Sequence, residues 1–264
     1  MDLSSTTALG PRRRAVAVTT VQQAGLVFDP SWRSFSSIQG GLVVGHLLEA
    51  AASHAGASPR AVTAHLLGGV VPDEPVRLTT SSDRDGRTGS VRAELLQDGG
   101  LRAVAQVLTL ARPATPVVEP YPPGDGYRPE DGVPFELPRD YVPIAEHTEI
   151  RALGPSRPLA GGSEPRLHAW VRVRGGLAPL VQLGVLLDAL PPSLFAVRTV
   201  PAAMPTVELT AHLAGPPPAT GAWVRVDQRT AWADADVAVD DVELRAVDGS
   251  LVAWGRQTRR LPAL

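Results

Sequence analysis

Two glycine pairs, each followed by an apolar segment, are the first residues in this sequence that could do chemistry. Gly40-Gly41 precedes an apolar run that ends at His54, and Gly175-Gly176 precedes a second run that ends at Leu190. If these runs are helices, their first backbone N–H groups are unpaired and lie at the positive end of the helix dipole. Because glycine has no side chain, a ligand carbonyl can approach those groups closely. The alternative is that each pair only permits the turn before the helix.

Most other chemistry-bearing patterns are absent from the sequence. Every basic residue is arginine, so neither a Schiff-base lysine nor a P-loop lysine exists. The lack of cysteine excludes disulfides, thiolate catalysis and iron–sulfur clusters. The six histidines lack metal-binding spacing, and there is neither a Gly-x-Ser-x-Gly elbow nor a Gly-x-Gly-x-x-Gly loop after a strand. We therefore expect no metal, no redox cofactor and no serine triad.

The composition is that of a globular protein with a packed core. Of 264 residues, 44% are hydrophobic and 20% are charged. With 25 basic and 27 acidic residues the net charge is −2, so no nucleic-acid partner is expected. No apolar run reaches the ~18–20 residues of a membrane span. Polar residues also interrupt the apolar stretch after Arg14, where a signal peptide would continue. We expect a cytoplasmic protein.

The elements that would position the glycine pairs fall into two patterned regions. We predict domains at 1–112 and 144–264, joined by an extended Pro/Gly-rich linker at 113–143. Helices are predicted at 40–54 and 176–189, and because apolar residues surround both, they are expected to be buried. Strands are predicted at 14–21, 61–71, 75–82, 88–97 and 101–111, and then at 145–152, 165–174, 206–213, 222–232, 237–247 and 250–260.

The two regions repeat one another. Gly40-Gly41-Leu42 matches Gly175-Gly176-Leu177, and Asp98-Gly-Gly-Leu-Arg-Ala matches Asp248-Gly-Ser-Leu-Val-Ala. Such short matches also arise by chance, but these two occur in the same order within the same pattern of elements. A lone apolar helix needs cover on most of its surface, which a curved antiparallel sheet can supply. The repeat therefore predicts one unit used twice: a strand, a buried helix and then four antiparallel strands.

Five longer motifs are spread over the two regions: Gln39-Gly-Gly-Leu-Val-Val-Gly45, Asp85-Gly-Arg-Thr88, Asp188-Ala-Leu-Pro-Pro192, Pro205-Thr-Val-Glu-Leu-Thr-Ala-His212 and Asp248-Gly-Ser-Leu-Val-Ala253. In these motifs the sequence resembles a known family, the acyl-CoA thioesterase II group of double-hotdog thioesterases, and in particular its actinobacterial thioesterase-like members. The resemblance covers nearly the whole chain outside the linker. It implies an α+β tandem (double) hotdog fold, in which two curved antiparallel sheets each wrap one long apolar helix. An acyl chain would then lie between the two helices and the sheet.

The same resemblance implies a catalytic set in the C-terminal half. The family activates a water with an Asp, a Thr and a Gln, whose positions here correspond to Glu208, Thr230 and Gln257. Glu replaces the family's Asp, and its extra methylene moves the carboxylate by about 1 Å, which can cost on the order of 10²-fold in rate. Thr206, Glu208, Thr210 and His212 are expected to share one alternation face of the strand at 206–213, and His212 is the substitute base. Asp188, near the end of the second predicted helix, is interpreted as a capping or loop-bonding residue. Gly40, Gly41, Gly175 and Gly176 would bind substrate by polarising the thioester carbonyl.

The implied function is hydrolysis of an acyl thioester of the acyl-CoA class. The expected partner is acyl-CoA or another acyl thioester. The alternative is a non-catalytic acyl-thioester or acyl-chain binding protein that retains the double-hotdog fold. Loss of the usual Asp favours that alternative, whereas retention of Gln257 favours activity. The sequence leaves open the carrier, the acyl length and whether the protein is a homo-oligomer.

Overall fold

A computed structural model describes residues 20–112, 118 and 126–262, with the side chains of the first strand described from residue 25 onward. In the N-terminal region it has one long helix, α1, at Gly40–Ala55. The strands of this region are β1 Thr20–Val27, β2 Arg33–Ser34, β3 Ser37–Ile38, β4 Ser58–Leu66, β5 Pro75–Arg84, β6 Thr88–Gln97 and β7 Gly100–Leu110. The strand predicted at 14–21 lies almost wholly outside the described residues.

The C-terminal region has a second helix, α2, at Pro179–Leu187. Its strands are β8 Val133–Phe135, β9 Thr148–Ala152, β10 Arg166–Val173, β11 Thr206–Leu213, β12 Val224–Ala233, β13 Val237–Ala246 and β14 Leu251–Arg260. Much of the predicted linker, 113–117 and 119–125, lies outside the described residues. Its described part contains a short 3-10 turn and β8, which lies at the edge of the sheet, where Pro134 costs no ladder hydrogen bond.

The longer strands form one continuous antiparallel sheet of twelve strands in the order β1-β5-β6-β7-β4-β11-β14-β13-β12-β10-β9-β8. The two curved sheets expected from the sequence are therefore parts of one larger sheet. The two halves join where β4 pairs with β11, from Glu208 opposite His65 to His212 opposite Ala61. This pairing satisfies backbone groups that two free edge strands would leave exposed.

The strand order on one side of the β4–β11 junction repeats on the other. Outward from β4 the order is β7, β6, β5 and β1, and outward from β11 it is β14, β13, β12 and β10. In each half, the helix follows the outermost of these strands in sequence and precedes the strand at the junction. Alternate strand residues are buried against the helices, as the burial pattern of β6 shows.

Helix α1 is defined by a cap at each end. The Gln39 side chain accepts a hydrogen bond from the Leu42 N–H, which satisfies one of the free donors of the first turn. Gly56, in the left-handed conformation at φ 56°, ends the helix and bonds back to the Ala52 carbonyl. Eight of the 16 helix residues are buried, which confirms the expectation of a buried helix near 40–54.

The two helices touch each other through glycine. A Cβ on Gly45 would lie 2.5 Å from the Val181 carbonyl oxygen, and one on Gly184 would lie 2.5 Å from the Gly45 nitrogen. Their backbones therefore approach as closely as glycine permits, with the start of α1 beside the end of α2. An acyl chain between the two helices and the sheet stays a prediction.

Helix α2 is shorter than the predicted 176–189. It begins at Pro179 and ends at Leu187, and its start is covered by the loop between β11 and β12. The buried Gln182 side chain donates to the Ala219 carbonyl at 3.0 Å and accepts from the Gly221 N–H at 2.9 Å. These bonds fix the loop over the start of the helix. Neither described helix has the length and apolar character that a membrane crossing requires.

Candidate active site

Glu208 and Gln257, which the resemblance pairs as base and water-orienting amide, lie on opposite faces of the sheet. Gln257 pairs with Leu209 across β14 and β11, and both are fully buried on the helix side. Glu208 pairs with Thr258 and accepts hydrogen bonds from its hydroxyl at 3.1 Å and from Thr210 at 2.6 Å. Since neighbouring strand residues point to opposite faces, the structure does not bring Glu208 and Gln257 together.

A β-bulge in β11 accounts for this separation. The pairing register of β11 with β14 shifts between Thr206 and Glu208. An extra residue reverses the alternation beyond it, so Thr206 faces the helices together with Leu209. The expectation that Thr206 and Glu208 share one face is therefore wrong. The Thr206 hydroxyl lies 3.2 Å from Gln257 Oε1 on the helix side.

Asp188, the residue directly after α2, lies beside these two side chains. Its Oδ1 is 3.2 Å from the Thr206 hydroxyl, which can donate to it or to Gln257. The Gln257 Nε2 donates to the Leu187 carbonyl, and this bond fixes the Gln257 amide with its oxygen toward Thr206. We call Asp188, Thr206 and Gln257 the Asp188 cluster. In it, one hydroxyl lies within hydrogen-bonding distance of both a carboxylate oxygen and an amide oxygen.

The start of α1 borders the Asp188 cluster. The Gly41 N–H donates to Asp188 Oδ2 at 3.1 Å, and the Gln39 Nε2 donates to the Asp188 carbonyl at 2.7 Å. A Cβ on Gly40 would lie 3.3 Å from Asp188 Oδ2 and 2.6 Å from Leu66 Cδ1. The first glycine pair therefore lies at the cluster, and the lack of side chains there permits the contact.

The second glycine pair lies elsewhere. Gly175 and Gly176 have φ values of 96° and 69°, so they form a turn that precedes Pro179, the first residue of α2. This conformation is one that glycine adopts without strain. The structure thus gives Gly175 and Gly176 a turn-forming role before the helix.

Thr230 joins a polar network that reaches the Asp188 cluster from one side. Its hydroxyl donates to Asp240 Oδ1 at 2.7 Å, and Asp240 is fully buried. Arg259 Nε donates to Asp240 Oδ2 at 2.8 Å, while Arg259 Nη1 donates to the Thr206 hydroxyl at 3.0 Å. Thr230 therefore contacts Asp240, and Arg259 links Asp240 to the Asp188 cluster.

The surroundings of Asp188 make it a stronger base than an ordinary aspartate. Burial raises the pKa of Asp188, against the opposing effects of Arg259, the Gly41 N–H and the Thr206 hydroxyl. A buried carboxylate with a raised pKa is suited to take a proton from water near neutral pH. Among the described residues, no group of three or more His, Asp or Glu side chains is placed to hold a metal ion.

The substitute base His212 is far from this environment. It is exposed on the same face as Glu208 and stacks on Trp254, with ring centroids 6.1 Å apart. Glu208 and His212 thus belong to the outer face of the sheet, whereas Gln257 belongs to the face that packs on the helices.

Comparison with known proteins assigns the family. The model of the acyl-CoA thioesterase N-terminal domain matches residues 28–111, and that of the C-terminal domain matches residues 121–260. The chain belongs to the acyl-CoA thioesterase family. As a member, the protein is a thioester hydrolase of the acyl-CoA class, which agrees with the expectation from its sequence motifs.

Relatives of this thioesterase include proteins with and without an assigned activity. An uncharacterized protein of Mycobacterium tuberculosis is 30% identical over 272 residues, covering 88% of each chain. A provisionally assigned thioesterase II from Thermobifida fusca has a TM-score of 0.79 at 24% identity, covering 94% of this chain and 96% of that one. The acyl-CoA thioesterase II TesB2 of Mycobacterium marinum has a TM-score of 0.65 at 18% identity, covering 86% and 90%. The two structures share the hotdog fold with this thioesterase.

Sequence reasoning missed two members of the Asp188 cluster. Asp188 was interpreted as a capping or loop-bonding residue, and Thr206 only as a member of the Glu208 face. One signal was available for Asp188. A carboxylate directly after the last turn of a helix meets the negative end of the dipole, so it needs compensating partners elsewhere. No comparable signal marked Thr206, because the bulge that turns it inward is not visible in the residue pattern.

Proposed function

We propose that this thioesterase hydrolyses acyl-CoA with Asp188 as general base and Gln257 as the residue that orients the attacking water. The observation that supports this is that the Thr206 hydroxyl lies 3.2 Å from both Asp188 Oδ1 and Gln257 Oε1, beside the start of α1. When the Thr206 hydroxyl donates to the charged Asp188, the stronger acceptor, the Gln257 amide oxygen is free to accept from water.

The reaction then proceeds by addition and elimination. The water oxygen attacks the thioester carbonyl carbon while Asp188 takes one of its protons. The resulting tetrahedral intermediate carries its negative charge on the former carbonyl oxygen. When the C–S bond breaks, the departing coenzyme A thiolate receives the proton from Asp188. The products are the free acid and coenzyme A, and the carboxylate is restored.

The start of α1 supports the developing negative charge. Gly40 and Gly41 let Leu66, Gly184 and Asp188 lie closely against the first turn of this helix, and its dipole is positive at this end. The Gly41 N–H already binds Asp188, so we attribute the polarisation of the carbonyl to the helix start as a whole. Such preorganised dipoles cost no rearrangement when the charge appears.

The fold and domain assignments that accompany this function are also proposals. The repeated strand order on both sides of the β4–β11 junction supports a tandem of two hotdog units at 1–112 and 144–264, with 113–143 as the linker. In this reading the single sheet arises because the two units share one edge. The cytoplasmic location and a homo-oligomeric state also stay predictions.

Two amide substitutions, one on each side of the sheet, test which carboxylate is the base. Asp188→Asn removes the proposed base, whereas Glu208→Gln makes the same chemical change on the outer face. Thiol release from acyl-CoA substrates of increasing chain length should fall by about 10²–10⁴-fold in kcat for Asp188→Asn, with little change for Glu208→Gln. KM should stay near that of the parent in both variants.

The opposite result would support the catalytic residues that the family resemblance implies. Loss of hydrolysis in Glu208→Gln, together with full activity in Asp188→Asn, would make Glu208 the base. If the parent releases thiol from no thioester but is stabilised by acyl-CoA, the non-catalytic binding protein is the correct alternative.

A further inference from the structure

Arg259 is a buried cation next to the Asp188 cluster that the reaction proposed above does not use. Its side chain is 5% exposed, and a buried guanidinium is retained only when its charge is paired. Its three nitrogen atoms reach three different oxygens: Nε binds Asp240 at 2.8 Å, Nη1 binds the Thr206 hydroxyl at 3.0 Å, and Nη2 lies 3.5 Å from Asp188 Oδ1.

We propose that Arg259 is a positioning residue that fixes the Thr206 hydroxyl and sets the ionisation of Asp188, and that Asp240 determines how much of its charge Asp188 receives. This inference rests on the proposed function, because it acts through the base assigned there. Arg259 contacts neither the water nor the thioester in that mechanism.

The first part of the inference concerns the direction of one proton. A threonine hydroxyl has one hydrogen to donate and two lone pairs that accept. Arg259 can only donate, so its bond occupies a lone pair of Thr206 and leaves the hydrogen for Asp188 or Gln257. The guanidinium is held at two of its nitrogens, which makes this orientation rigid.

The second part concerns charge. The groups that face the Asp188 carboxylate are the Gly41 N–H from α1, the Thr206 hydroxyl from β11 and the Arg259 guanidinium from β14. The next titratable group is Asp240 on β13, which contacts Arg259 more closely than Asp188 does. One cation is therefore shared unequally between two carboxylates. Arg259 therefore stabilises the charged form of Asp188 only in part, so the carboxyl group can ionise while burial keeps its pKa raised.

The chain contains a matched control for this pair. Arg256, on the same strand, binds Asp241 at 2.8 Å across the same two strands, but on the outer face. Arg259→Met and Asp240→Asn remove the two charges at the cluster, whereas Arg256→Met and Asp241→Asn remove the equivalent charges outside it. The pH dependence of kcat is measured for all four variants and for the parent.

Arg259→Met and Asp240→Asn, the inner pair of variants, should move the acidic limb of the pH profile of kcat in opposite directions. Without its cation, Asp188 ionises at higher pH, so Arg259→Met should shift the limb upward by about one unit or more. Asp240→Asn frees Arg259 for Asp188 and should shift the limb downward. The outer pair should leave it in place. If Arg259 and Asp240 only hold the fold together, both inner variants would lose activity and stability in parallel with an unmoved limb, which would overturn the inference.

Two further measurements keep the test decisive if Arg259→Met does not fold. Arg259→Lys keeps the charge but lacks the fork, so it should keep the acidic limb near that of the parent while kcat falls. A second measurement does not depend on hydrolysis. The unfolding free energy is measured against pH for the parent and for Asp240→Asn, each with and without Asp188→Asn, so that the difference within each pair gives the contribution of Asp188. In the Asp240→Asn pair this contribution should change at lower pH than in the parent pair. Full activity of Asp188→Asn would refute the proposed function. An inactive Asp188→Asn, combined with an unmoved limb in Asp240→Asn and an unchanged kcat in Arg259→Lys, would refute only the role of Arg259.

Discussion

The Asp188 carboxylate accepts a hydrogen bond from the Gly41 N–H over 3.1 Å, although the two residues are 147 positions apart in the sequence. At the end of α2 the carboxylate meets the negative end of its own helix dipole, and the positive end of α1 compensates for this. Glycine at position 41 makes the close contact possible. Because Gly41 and Asp188 belong to different halves of the chain, the site forms only when both halves are folded together.

Alanine substitutions in α1 should separate helix packing from catalysis. A Cβ on Gly41 would meet the α2 backbone at Gly184 and lie 2.8 Å from Asp188 Cβ, whereas the atoms nearest to a Cβ on Gly45 belong to the α2 backbone at Val181. Both variants should lose about 1–3 kcal/mol of unfolding free energy through overpacking, measured by urea denaturation. Only Gly41→Ala should also lower kcat at a pH where both are folded. Equal kcat values in the two variants would argue against a role for this helix start.

The two threonine hydroxyls of β11 should differ in their effect on activity. Thr206→Val removes the hydroxyl that contacts Asp188, Gln257 and Arg259, whereas Thr210→Val removes one that contacts Glu208. A hydrogen bond to a charged group contributes about 1.5–3 kcal/mol, so Thr206→Val should lower kcat by roughly 10–100-fold. Thr210→Val should have little effect on thiol release. The reverse order would favour the Glu208 face as the site.

The ionisation of Asp188 should affect activity and stability with opposite signs. A general base must be ionised, so kcat should rise with pH through a value above the ordinary range of an aspartate, because burial raises the pKa of Asp188. A carboxyl whose pKa is raised on folding stabilises the native state below its unfolded pKa, and that contribution is lost as pH rises through the folded pKa. The unfolding free energy of the parent should therefore decline with pH relative to that of Asp188→Asn. A constant difference between the two would contradict the raised pKa.

His46 in α1 should make the fold sensitive to mild acid. Burial lowers the pKa of His46 to about 4, from an ordinary value near 6.5. The unfolded chain therefore binds a proton that the folded chain does not, so stability is full above pH 6.5 and declines as pH falls toward 4. Between pH 7 and pH 5 the loss should be about 2 kcal/mol. His46→Leu should remove this part of the pH dependence in urea unfolding, and replacement of the exposed His65 by Leu should not.

Much of the fold could be predicted from residue patterns, because these elements follow local rules. The start of α1 at Gly40 and the bounds of β6 at Thr88–Gln97 agree with the expectations, since apolar periodicity and Asp-Gly turns determine them. The end of α2 was placed too late, because Asp188 and the residues after it are as compatible with a helix as the segment before them. The single sheet depends on pairing between β4 and β11, which are distant in sequence and carry no local mark of their partner.

Only part of the candidate site could be predicted, because the β-bulge in β11 is not visible in the residue pattern. Gln257 and the first glycine pair lie at the cluster, and both were found from motifs with a fixed spacing. The base was placed at Glu208 by the resemblance, and its convergence with Gln257 was inferred from the alternation along β11, which the bulge between Thr206 and Glu208 reverses. A one-residue irregularity thus exchanges the inner and outer faces, although the residues around it form an ordinary strand pattern.

The loop that Gln182 holds over the start of α2 has a consequence for the number of ligands that each chain binds. The two halves share one strand order, yet only the start of α1 meets a carboxylate, while the start of α2 is closed by bonds to Ala219 and Gly221. In the proposed mechanism the start of α1 takes part in the reaction, whereas the bonds at the start of α2 hold the loop between β11 and β12 in place. Each chain should accordingly bind one equivalent of a non-hydrolysable acyl-CoA analogue.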